Sequence, residues 1–110
     1  MISAMHAAAK LFRLLADPTR LAVFESVARR EMTVSELTDR FDVSQPAISQ
    51  HLAALREGGL VSQRKDGRHI YYRAKPAAMK PLLNWLSHYQ AFWKERIPRL
   101  RALLKEMKDE

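Results

Sequence analysis

Apolar residues recur at helical spacing through most of this chain, interrupted once by a short strand pair. Ala8, Leu11, Phe12 and Leu15 mark one face of a helix over residues 4–15. Asp17-Pro18 then restarts the chain. The aspartate caps, and the proline takes the first helical position, where a missing N–H costs nothing. The helix that follows sets Leu21, Phe24, Val27 and Ala28 on one face. Thr33-Val34-Ser35-Glu36 matches a capping box, in which Thr33 and Glu36 satisfy each other's backbone donors. A short helix follows, with Leu37 and Phe41 inward, and Phe41-Asp42-Val43 makes a three-residue turn. Ser44 caps the next helix, Pro46 is tolerated in its first turn, and Ile48, Leu52 and Leu55 line its buried side. Gly58-Gly59 ends it, as glycines do beyond a helix C-terminus.

Residues 60–65 and 68–73 read as two strands, with Asp66-Gly67 as a two-residue hairpin turn. Beyond Pro76 an aromatic-rich helix carries Leu82, Leu86, Tyr89, Trp93, Ile97, Leu100, Leu104 and Met107 at steps of four and three. A stripe so sustained suggests a helix–helix seam. At Pro98 either this helix kinks or a second one starts. The predicted fold is mainly α with a small β-hairpin: four helices, two strands and a long last helix. Two short helices joined by a tight turn, followed by a basic hairpin, describe a winged helix-turn-helix. The whole of 1–110 is expected to be a single domain of this kind, with 4–15 and 79–107 as dimerisation helices.

Charge narrows the chemistry. Nineteen Lys and Arg against 12 Asp and Glu leave a net charge of +7, which suits a polyanionic partner. Residues 62–75 concentrate Arg64, Lys65, Arg68, Arg73 and Lys75 against Asp66 alone, whereas the basic residues of 94–110 are interleaved with acids. The first cluster is a patch and the second a solvated helix face. The chain is long enough for one modest core, and no apolar run approaches the roughly 20 residues of a membrane span. With no cysteine and no secretory signal, a reducing cytoplasm is the expected location.

The helix over 45–57 turns Ile48, Leu52 and Leu55 to one side at about 100° per residue, and Pro46, Gln50, Ala53 and Glu57 to the other, with Ser49 beside them. Its outward N-terminal half offers Gln45, Ser49 and Gln50 among small alanines. Glutamine pairs bidentately with adenine, serine bonds to any base, and an alanine methyl can meet a thymine methyl. These three are the expected base contacts. Ser44 and the helix N-terminus offer N–H groups to a phosphate, His51 stands nearby, and Arg64, Lys65, Arg68 and His69 flank the hairpin tip. Contacts of that second kind add affinity and salt dependence but little sequence information. Each part has a plainer use, since polar faces are often only solvated and basic hairpins often only protected edges. Two other functions use the same features: a nonspecific or architectural nucleic-acid binder, and a protein-interaction module of this shape.

Leu15-Ala16-Asp17-Pro18-Thr19-Arg20-Leu21 resembles the opening signature of the ArsR/SmtB family of winged-helix repressors. Residues 44–52, Ser-Gln-Pro-Ala-Ile-Ser-Gln-His-Leu, resemble its recognition helix, and residues 64–72 its wing. The resemblance covers most of the chain. It implies a homodimer built on the first and last helices, bound to an inverted-repeat operator as a repressor, with double-stranded DNA read by Gln45, Ser49 and Gln50. Leu11, Leu82, Trp85, Leu86, Tyr89, Phe92 and Trp93 are the expected dimer contacts. The pattern Trp85, Tyr89, Phe92, Trp93 and Arg96 resembles a metal-independent subgroup, often encoded beside polyketide-cyclase-like lipid-binding proteins.

The family's soft-metal sensors use cysteines, and Thr33 and Ser35 stand where the arsenite-type motif has them. Zinc sites need several convergent His and carboxylates, whereas His6, His51, His69 and His88 are scattered. No metal and no cofactor are expected. A small-molecule inducer at the aromatic seam stays open. Ser49 and His51, two apart on a helix, cannot face one another, and no phosphate loop or paired-carboxylate motif is present, so no enzyme is expected.

Overall fold

A computed structural model describes the backbone of residues 2–109 and the side chains of residues 5–92 and 94–107. Helices α1 (Ile2–Leu15), α2 (Pro18–Arg29), α3 (Val34–Arg40) and α4 (Gln45–Glu57) precede strands β1 (Val61–Asp66) and β2 (His69–Ala74). A 3₁₀ turn, Pro76–Met79, leads into α5 (Lys80–Ser87) and α6 (Gln90–Asp109). This is a winged helix, with the helix-turn-helix at α3 and α4 and the wing at β1 and β2.

The caps read from the sequence are in place. Asp17 accepts the N–H of Arg20 at 2.9 Å. Thr33 and Glu36 exchange bonds of 3.0 and 3.1 Å. Ser44 Oγ accepts the N–H of Ala47 at 3.2 Å. At the end of α4, Leu60 N–H reaches the carbonyl of Leu55 and Gly59 N–H that of Arg56, a Schellman closure. Gly59 is its left-handed residue, at φ +80°.

The core joins α1, α2, α3, α4, the root of the wing and α5. Val23, Val27, Met32, Leu37, Ile48, Leu52, Leu55, Leu60 and Val61 are almost wholly removed from water. Each such side chain is worth roughly 1.5–3 kcal/mol of transfer free energy. In α2 the buried set is Val23, Phe24, Ser26 and Val27, so Leu21 and Ala28, expected inward, are exposed. That helix has apolar residues on several sides, and only its neighbours choose which side goes in. Ser26 satisfies its hydroxyl on the carbonyl of Ala22 at 2.9 Å.

Three features depart from the sequence reading. The hairpin turn lies one residue later than expected, at Gly67-Arg68, because Asp66 pairs with His69 as the last rung. Gly67 has φ +63° and Arg68 does not share the left-handed region. Positive φ at the first central residue alone is the type II′ pattern, and it needs glycine there. Met32 adds an unforeseen rung from outside the hairpin, exchanging backbone bonds of 3.0 and 2.8 Å with Tyr72. Lastly, the long final helix breaks at His88-Tyr89, and Pro98 lies within α6. The break follows from hydrogen bonding at Asn84. Its carbonyl accepts the Ser87 hydroxyl at 2.7 Å and pairs with the His88 ring at 2.8 Å, while the N–H groups of His88 and Tyr89 fall back to Trp85 and Leu86 in 3₁₀ fashion.

Helix α5 packs on α1, whereas α6 makes no extended contact with another described element. The radius of gyration is accordingly 17.3 Å, against about 13 Å for a compact domain of this length.

Gly59→Ala is expected to cost roughly 1–2 kcal/mol, read from urea unfolding, because a Cβ there meets open space but must adopt the left-handed backbone. Gly59→Asn is expected to cost less, since Asn tolerates that region.

Candidate nucleic-acid interface

Burial of Ile48, Leu52 and Leu55 fixes the rotation of α4 about its axis. Gln45, Ser49, Gln50 and Ala53 are thereby exposed on its outer side, where the sequence placed them. Phe41 and Val43 tuck into the core edge and pin the turn between α3 and α4. At the start of α4, Pro46 has no N–H. The N–H of Ala47 goes to Ser44 Oγ and that of Ile48 to the Ser44 carbonyl. Gln45 therefore supplies the backbone donor that this helix end can offer a phosphate. Ser44 Oγ is engaged as the cap.

His51 is half-buried beside α2. Arg20 Nε donates to its Nδ1 at 3.3 Å, and Arg20 Nη1 donates to the Leu14 carbonyl at 3.4 Å. Arginine has no acceptor, so Nδ1 accepts and the proton of neutral His51 sits on Nε2. Asp17, Arg20 and His51 thus tie the beginning of α2 to the middle of α4. Sequence reasoning found Asp17 as a cap and His51 as a neighbour of phosphate. It missed Arg20, three residues past the cap, as their link.

The wing divides its cations. On the outer face, Arg64 stands opposite Tyr71 in the ladder, with its guanidinium 4.7 Å from the ring centroid. Its Nε donates to Glu31 Oε2 at 2.7 Å, and its Nη1 lies 3.6 Å from Asp66 Oδ2. Arg64, expected among the phosphate contacts, is therefore held by the protein itself, and Glu31 was not foreseen at all. Lys65 and Arg68 are exposed near the tip and have no ion-pair partner among the described residues. His69 is exposed too, its ring 6.2 Å from that of Tyr71.

The expected dimer residues fall into two groups. Leu11 and Leu82 are buried inside the chain's own core, between α1 and α5, which corrects the expectation that they face a partner. Leu86, Tyr89 and Phe92 are exposed, and Trp85 is half-buried. Phe12, also exposed, meets Trp85 edge-on at 5.6 Å, and Trp85 meets Tyr89 at 5.1 Å. Ile97, Leu100, Leu104 and Met107 continue this surface along α6. Trp93 lies outside the described side chains. Among the described residues, no three His, Asp or Glu side chains come together as a metal site, and no helix is long and apolar enough to cross a membrane.

Three carboxyls near this surface are held below their ordinary range. The Arg20 N–H lowers Asp17, the Arg64 side chain lowers Glu31, and the Thr33 N–H lowers Glu36. A carboxyl with a depressed folded-state pKa contributes stability above its unfolded value and loses it as pH falls through the folded one. Thermal stability is therefore expected to hold near neutrality and to decline once pH drops below the usual carboxylate range. Glu36→Gln, which retains the cap geometry but not the charge, should decline less steeply.

Residues 17–63 match the family model described as bacterial regulatory protein, arsR family. The chain is 45% identical over 74 residues to the HTH-type transcriptional regulator KmtR of Mycobacterium tuberculosis, covering 67% of this chain but only 57% of that relative's length. It is 28% identical over 79 residues to the transcriptional repressor SdpR of Bacillus subtilis, covering 72% of this chain and 88% of that one. An ArsR-like transcriptional regulator from Rhodococcus sp. RHA1 superposes with a TM-score of 0.71 at 33% identity, over 92% of this chain and 95% of that one.

Proposed function

This chain belongs to the arsR family of bacterial regulatory proteins and is thus a DNA-binding transcriptional regulator, not an enzyme; on that premise we propose that it is a homodimeric repressor of an inverted-repeat operator. The observation that carries this reading is the outer face of α4. Gln45, Ser49 and Gln50 are exposed there while the opposite face is wholly buried, so the helix can enter a major groove without unfolding anything. Gln45, Ser49 and Gln50 read bases. The Gln45 N–H, Lys65, Arg68 and His69 meet the sugar–phosphate backbone, while His51, half-buried and bonded to Arg20, steadies the helix. The partners are double-stranded DNA and a second copy, and the setting is the cytoplasm.

Dimerisation is supported by the apolar surface formed by Phe12, Trp85, Leu86, Tyr89 and the stripe of α6. Contiguous exposed patches of this kind mark interfaces. Two copies joined there present two copies of α4 to half-sites about one helical turn, ~34 Å, apart.

Binding to the protein's own promoter is expected to exceed binding to scrambled duplex of the same length, and equal affinity removes the repressor reading. Gln50→Ala should cost ~1–3 kcal/mol on the preferred site and relax base preference, whereas Arg68→Ala should weaken all sequences alike and flatten the salt dependence. Fluorescence anisotropy with both duplexes measures the difference.

Leu100→Glu tests the seam. Leu100 is 55% exposed in the single chain, so the substitution spares the fold. Sedimentation velocity should show a folded monomer with reduced operator affinity; an undisturbed dimer would place the interface elsewhere.

A further inference from the structure

The outer face of the wing carries a charge cluster that lies outside the core. Glu31 lies just before the Met32 rung. Its carboxylate receives Arg64 Nε at 2.7 Å across the sheet surface. Arg64 is held on two further sides, by the Tyr71 ring at 4.7 Å beneath its guanidinium and by Asp66 at 3.6 Å toward the turn. Both members of the pair are partly open to solvent, with side chains 49% and 32% exposed. An isolated pair this exposed contributes little to stability. Ring, carboxylate and second acid together nevertheless define one orientation for a planar, five-donor group.

We propose that Glu31 and Arg64 form a strut that sets the angle of the wing, making both positioning residues for DNA binding rather than phosphate contacts. The reason is mechanical. The paired hairpin runs out from the body to the tip at Gly67-Arg68, and among the described residues no backbone bond to the body steadies it beyond the Met32–Tyr72 rung. Glu31 reaches past that rung to Arg64, midway along β1, and so shortens the lever on which Lys65 and Arg68 ride. A guanidinium already neutralised by one carboxylate and flanked by another is also a poor counterion for phosphate. Lys65 and Arg68, at the tip, have no such carboxylate among the described residues and are left for DNA. The mutual effect on titration agrees with the geometry: the pair lowers Glu31 and raises Arg64.

This inference rests on DNA binding as read above, but its signs are its own. Removing an acid from a DNA-binding surface ordinarily strengthens binding. The strut predicts the reverse. Glu31→Gln should weaken promoter binding roughly two- to ten-fold, the cost of ordering about one more side chain on association. It should do so without changing the slope of log affinity against log salt between 50 and 200 mM. Arg64→Lys, which retains the charge but not the fork, should weaken binding comparably, and the double variant no further. Arg68→Ala should instead flatten the slope by about one unit for each phosphate that Arg68 neutralises in the parent. Tighter binding and a steeper slope in Glu31→Gln would show that Arg64 reaches phosphate once released, and would overturn the proposal. So would an Arg64→Lys variant indistinguishable from the parent. Amide hydrogen exchange across 62–73 in the DNA-free protein provides a reading independent of duplex binding. Faster exchange in Glu31→Gln supports the strut, and unchanged exchange rejects it even if the parent binds no duplex.

Discussion

Ile48, Leu52 and Leu55 repeat at steps of four and three on a helix only 13 residues long, and all three are driven out of water. Their burial against α2 and α3 leaves α4 no rotational freedom about its axis. Everything the helix offers outward follows from that constraint. The caps at Thr33 and Ser44 set where the two helices begin, and Phe41 and Val43 close the corner between them. A polar face held this rigidly needs little further ordering when it binds.

Around that helix the protein divides its arginines between internal and external work. Arg20 joins α2 to His51 and the end of α1. Arg64 joins the wing to Glu31. Both use the directional fork of the guanidinium, and neither is an unattached charge. Lys65 and Arg68 are left where flexible cations are useful, at the projecting end of the hairpin. A net positive charge says that a polyanion suits this surface. It does not say which cations face it, because a carboxylate 33 residues away in sequence can claim one of them.

The C-terminal third shows a second division. Helix α5 contributes Leu82 to the core and thereby belongs to the domain. Among the described residues helix α6 contributes none to that core, and Phe92, Ile97, Leu100, Leu103, Leu104 and Met107 are 39–66% exposed. One periodic stripe in the sequence thus serves two purposes, and the Asn84–Tyr89 segment, with its diverted carbonyl, is where the purposes change.

Much of this was legible in the chain itself, because caps, turn residues and helical periodicity are local. Asp17-Pro18, the Thr33–Glu36 box, Ser44 and the Gly58-Gly59 stop act within a few residues of their own position. So does the stripe that faces Gln45, Ser49 and Gln50 outward. The tertiary structure decided what depends on distant neighbours. It chose Val23 over Leu21 as the inward side of α2, placed Leu11 and Leu82 inside the chain's own core, and added Met32 to the sheet. It also moved the turn to Gly67-Arg68 by pairing Asp66 with His69, and gave Arg64 to Glu31. Periodicity specifies that a face is buried, but packing specifies against what, and a long cationic side chain takes whichever carboxylate the fold brings within reach.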